Sequence, residues 1–129
     1  MRLALDSDPR LHLVRSYGEG VVIVGDERFT QPLLVTPTRP PSPWAVDSFE
    51  VLNRAEQLDA QLAPLLQFGA QIVLLGVGAT QPDVSAPLRA AFRSRGLAFE
   101  CMNLGAACRT YNVLASEQRL VVAALFPER

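Results

Sequence analysis

The stretch Gly105-Ala106-Ala107-Cys108-Arg109-Thr110-Tyr111-Asn112 decides how this chain is read. It links one apolar run, Leu97 to Met102, to another, Leu120 to Phe126. Its density of small, polar and aromatic residues exceeds what joining two strands requires. On a 3.6-residue period Ala107, Cys108, Tyr111, Leu114 and Ala115 fall on one side, with Arg109, Asn112 and Ser116 on the other. That spacing predicts a helix from Gly105 to about Glu117, its apolar side against a sheet.

Working outward, Ile72-Val73-Leu74-Leu75 is a continuous apolar run bounded by Gly69 and Gly76, as a strand covered on both faces requires. Ser85 begins a helix that accepts Pro87 in its first turn, turns Leu88, Ala91 and Phe92 inward and stops at Gly96. Residues 70–126 therefore read β-α-β-α-β, an α/β fold with a mixed, mostly parallel sheet. Ahead of it, Asn53 and Glu56 have capping-box spacing and predict a helix start. Leu58, Leu62, Leu65 and Leu66 form its inner face; Pro64 kinks or ends it, and Gly69 closes it.

The first forty residues read as a small antiparallel meander with strands at 12–15, 20–24, 28–30 and 33–35. Turn signals stand at Tyr17-Gly18-Glu19-Gly20 and Gly25-Asp26. Pro37, Pro40, Pro41 and Pro43 make 37–43 a stiff loop, since proline fits neither a sheet interior nor a helix core. Trp44 is expected to anchor that loop. Residues 1–10 read as an irregular lead-in, and 1–129 as a single domain.

Composition removes several functions. Net charge is −1, and all twelve basic residues are dispersed arginines, which leaves no face to neutralise phosphates; nucleic acid is not an expected partner. Cys101 and Cys108 match neither a redox pair nor a zinc knuckle, and the one histidine, His12, is remote in sequence. Buried reduced thiols are expected, with no metal and no cofactor. No apolar run approaches the ~20 residues of a membrane span. Met1 to Asp6 lacks the apolar core of a secretory signal, so the expectation is a soluble, cytoplasmic protein without membrane insertion.

Gly76-Val77-Gly78-Ala79-Thr80-Gln81 follows a buried strand, where dinucleotide-binding loops occur. That loop needs a third glycine where Gln81 stands, and Pro82 delays the helix, so the pair reads as a tight strand exit. A Ser-His-Asp set fails on inventory. Cys108 beside Arg109 at a helix start could carry a lowered pKa, yet no partner base is evident. Arg109 leaves two readings open. With the amides of the helix start it could hold a carboxylate or phosphate; alternatively it pairs with Glu100 or Asp83, while Asn112 ties the helix to a loop. Tyr111 reads as a packed ring with a hydrogen-bonded hydroxyl.

Tyr17-Gly18-Glu19-Gly20, Leu33-Leu34-Val35 to Trp44, Gly76-Val77-Gly78 to Gln81, Gly105 through Leu114, and Arg119 to Leu125 occur in one order. In these the chain, from about residue 12 to 126, resembles the small Mth-type domains of long-unknown function. That family includes a mitochondrial respiratory complex I assembly factor and an adipogenesis-associated protein of animals. The resemblance implies three layers: a central mixed sheet, helices packed on it, and an extra N-terminal antiparallel β layer. It implies assembly through protein contacts and no established enzyme activity. It also implies a shared cleft lined by Gly76, Gly78, Gln81, Gly105, Arg109, Thr110, Tyr111 and Asn112. Asn103-Leu104 replaces an Asp-Thr pair expected before the helix, which removes an acid and a hydroxyl from that cleft. The resulting expectation is a non-catalytic module with an unknown protein partner; the alternative is a binder of, or enzyme for, a small anionic ligand.

Overall fold

In the computed structural model, which describes Met1 and residues 10–128, a ribbon of three strands precedes a five-stranded sheet. The ribbon holds β1 (Val14–Gly18), β2 (Val21–Val24) and β3 (Glu27–Phe29). The sheet is built from β4 (Leu33–Val35), β5 (Ser42–Pro43), β6 (Ile72–Val77), β7 (Ala98–Met102) and β8 (Val121–Phe126), in spatial order β5-β4-β8-β6-β7. Four helices pack on it: α1 (Phe49–Arg54), α2 (Asp59–Gln67), α3 (Ala86–Ser94) and α4 (Leu104–Ser116). The expected irregular lead-in lies, apart from Met1 and Arg10, outside the described residues.

Strand β6 runs parallel to β7 and β8, and β4 runs antiparallel to β8 and β5, so the sheet is mixed, with the parallel ladders longer. Side chains of a strand alternate between faces, so an all-apolar strand demands cover on both. In β8, Val122, Ala124 and Phe126 enter one core with Leu62, Leu65, Leu88 and Phe92 of α2 and α3. Val121, Ala123 and Leu125 enter the other with Ala107, Cys108, Tyr111 and Ala115 of α4 and Val14, Val22 and Val24 of the ribbon. Three helices therefore cover one face, and α4 with the ribbon covers the other.

Local signals set most boundaries. The Ser85 hydroxyl accepts from Leu88 N at 3.2 Å and starts α3. Asn103 Oδ1 accepts from Ala106 N at 2.8 Å and starts α4, so the residue that departs from the family's expected pair is the helix cap. Pro64 lies inside α2 without ending it; the chain turns at Gly69, whose φ is +68°.

Four expectations are corrected. The helix expected from Asn53 through Leu66 is two helices. Asn53 already lies within α1, which begins at Phe49 and is capped by Ser48. Leu62 and Leu65 are buried on α2, which begins at Asp59 and leaves Leu66 exposed. The Asn53 side chain instead accepts from Ser85 N and donates to Asp83 O, tying α1 to α3. Leu33-Leu34-Val35 leaves the meander for the large sheet, because all three residues are buried and only a strand covered on both faces can supply that. The 37–43 loop contributes Ser42–Pro43 as a short edge strand, the one sheet position where proline's missing donor is harmless. Tyr17 and Gly18 belong to β1, and only Glu19 and Gly20 form the turn. Trp44 is an anchor as expected, its indole donating to Gln61 O at 2.8 Å and its ring 5.6 Å from that of Phe126.

Candidate functional site

The end of β1, the exit of β6 and the start of α4 meet around a hollow of about 370 Å³. Gly78, Gly105 and Arg109 line it, together with Tyr17, Glu19, Asn103 and Glu128. Gly78 has φ +58°, a left-handed conformation that lets the chain leave β6 sharply. Its carbonyl accepts from Leu104 N at 2.9 Å, closing the first turn of α4. Gly105 allows the Tyr17 ring to lie against the helix, since a Cβ there would stand 2.7 Å from the phenol oxygen. Arg109 Nη1 donates to that oxygen at 2.5 Å, and the Tyr17 hydroxyl donates to Met1 Sδ at 3.3 Å.

Arg109 takes a partner that neither reading named. Among the described residues it forms no ion pair with Glu100 or Asp83; its partner is a hydroxyl. The start of α4 has also spent most of its free amides, with Leu104 N held by Gly78 and Ala106 N by Asn103. Gly105 N–H alone of the first three has no protein acceptor among the described residues. Glu128 borders the hollow while its Oε1 accepts from Phe49 N at 3.0 Å, which ties the chain's end to α1.

The remaining cleft residues lie elsewhere. Gly76 is a packing contact: a Cβ on it would stand 2.6 Å from Ala107 Cβ and 2.9 Å from Leu125 Cδ2. Tyr111 is fully buried, donates to His12 O at 2.6 Å, and its phenol is held well above its ordinary pKa by desolvation. Asn112 is buried instead of sharing an outer face with Arg109. Its Oδ1 accepts from Val14 N at 2.9 Å and its Nδ2 donates to Val14 O at 2.8 Å, so it ties α4 to a strand. Thr110 is half-buried outside the lining of the hollow. Gln81 lies in a separate groove of about 250 Å³ beside β7.

Burial also settles the thiols. Cys108 is pushed up to about 12 by desolvation, against a smaller opposing pull from Arg109, and Cys101 to about 11 by the same cause, opposed by Arg89. Both are protonated at neutral pH, and thiols in that state are poor nucleophiles. Among the described residues no three His, Cys, Asp or Glu side chains gather as metal ligands. Tyr17 and Glu128 also line the hollow, and no local sequence pattern marks them as site residues. Tyr17 lies ninety-two residues from Arg109, and no local pattern reports such a contact.

A mixed sheet with three helices on one face and a helix plus an antiparallel ribbon on the other is the Mth938-like fold. A solution NMR structure from Bordetella pertussis, described as a Mth938-like domain, matches with a TM-score of 0.69 at 27% identity, over 99% of this chain and 93% of that one. The chain belongs to the family described as protein of unknown function (DUF498/DUF598), whose match spans residues 14–126. Two curated relatives are both named NADH dehydrogenase [ubiquinone] 1 alpha subcomplex assembly factor 3. The Xenopus tropicalis protein is 29% identical over 127 residues, which is 98% of this chain and 66% of that one. The Danio rerio protein is 38% identical over 63 residues, 49% of this chain and 36% of that one. The chain thus spans under two thirds of the length of either relative. Among the described residues no helix is long and apolar enough to cross a membrane.

Proposed function

We propose that this chain is a non-catalytic docking module that helps build a larger protein assembly in the cytoplasm, a respiratory complex being the first candidate. One observation carries the reading: 98% of the chain aligns with a protein named as an assembly factor for NADH dehydrogenase. The chemistry around the hollow supports it. Arg109 is occupied by Tyr17, the Leu104 and Ala106 amides by Gly78 and Asn103, and the nearby Cys108 and Tyr111 hold their protons. The hydrogen-bonded groups brace one another, and the raised Cys108 and Tyr111 offer little proton transfer near neutral pH. Capture of the tagged chain from its native cell, read by quantitative mass spectrometry, tests this. Reproducible recovery of one defined assembly intermediate is expected; recovery of background proteins alone sinks it.

A second reading keeps the hollow as a site for a small anion, favoured by the exposed Arg109 and the unpaired Gly105 N–H at its wall. On this reading Arg109→Ala weakens binding of inorganic phosphate or a simple carboxylate by roughly 1–3 kcal/mol, the range for a charge-assisted hydrogen bond. Calorimetry that registers no heat with either class of anion removes it.

A further inference from the structure

Sheet edges expose unpaired N–H and C=O groups, and folded proteins blunt them with short strands, prolines, charges or cover. Among the described residues, three of the four sheet edges are blunted. Strand β5 has two residues, one of them Pro43, and follows Pro40 and Pro41. Strand β3 has three, and its exposed Glu27 and Arg28 are charged. Strand β1 is sealed by the Asn112 amide on Val14 and by Met1, whose backbone bonds with that of Tyr17 in both directions.

The fourth edge, β7, is the least protected, its one blunting feature being the exposed charge of Glu100 at its centre. Its five residues pair with β6 in unbroken register, without proline or bulge. Among the described residues no group outside the sheet bonds to its backbone. Beside it runs the groove of about 250 Å³, bordered by Gln81, Pro82, Arg89, Phe99, Glu100 and Cys101. The Arg89 guanidinium stands 5.9 Å from the centre of the Phe99 ring, is exposed, and forms no ion pair among the described residues.

We infer that the outer edge of β7 docks an extended segment of a partner protein, which adds a sixth strand and sets an acidic side chain against Arg89 in the groove. In this mode of recognition the backbone ladder supplies affinity, and a pocket for alternate side chains supplies specificity. The occupant is not a second copy. Antiparallel pairing of all five β7 residues with themselves centres on Glu100 and sets two like charges directly opposite, which destabilises a ladder. The inference rests on the docking-module reading and names the face that docks.

The test is a display selection against the whole protein, using random peptides of roughly ten residues, the upper range of a strand. Binders are then mapped by amide hydrogen exchange. Selected peptides are expected to slow exchange within 98–102 and to carry Asp or Glu at one fixed alternate position. They should lose at least about tenfold in affinity against Arg89→Glu, as loss of a charge-assisted bond implies. Arg89 is exposed, so the variant keeps its fold. A selection that yields no binder at β7, binders without an acidic preference, or a dimer of the free protein with β7 protected overturns the inference. A native partner that binds while 98–102 keep exchanging sinks this edge alone and leaves the docking module standing.

Discussion

At Gly76 a single hydrogen atom sets how closely helix and sheet approach. The Cβ of any other residue would meet Ala107 Cβ at 2.6 Å and Leu125 Cδ2 at 2.9 Å, both inside a packed core with little room to give. Gly76→Ala is therefore expected to destabilise the fold by about 1–3 kcal/mol, the usual range for overpacking, measured as a lower urea midpoint with unchanged slope. Gly105 differs, because its obstacle is the Tyr17 ring at the rim of the hollow, the far end of a side chain that is not fully buried. In sequence both glycines looked like members of one cleft. Separating them required knowing what lies across from each, and neither neighbour is near in the chain.

Among the elements, α4 was the most legible and α1 the least. The apolar spacing of Ala107, Cys108, Tyr111 and Ala115 is a local property, and all four are buried. Asn112 defeats the same logic, since its amide looks like solvent-facing polarity until β1 presents an unpaired N–H and C=O to it. Asn112→Ala leaves both groups of Val14 buried without partners, so a loss of roughly 1–3 kcal/mol is expected. Faster exchange of the Val14 amide than of the β6 amides would localise the damage to β1. For α1, Ser48 and Asn53 are both good caps by residue type, and packing chose between them. Asn53 is needed to hold Asp83 and Ser85. Leu33-Leu34-Val35 shows the same limit: its β propensity was visible, but its place beside β8 is fixed by residues about ninety positions later.

Across the whole molecule, burial of acidic protons couples stability to pH. Burial raises the Cys108 thiol from its ordinary value of 9.0, that of the unfolded chain, to about 12 in the fold. Between those values the unfolded state binds fewer protons, so this contribution is intact below pH 9 and is lost as pH climbs toward 12. The slope for one proton reaches at most about 1.4 kcal/mol per pH unit. Cys101 and Tyr111, also raised, act in the same direction. Urea melts at stepped pH from neutrality upward should show stability falling only in the alkaline range, and the Cys108→Ala variant should fall less steeply. The clasp of Tyr111 and Asn112 on His12 and Val14 has a temporal side as well. During synthesis the ribbon leaves the ribosome well before α4, yet its seat is made only when α4 follows. A message truncated before that point yields a product with an orphaned hairpin, open to proteases and unable to mature.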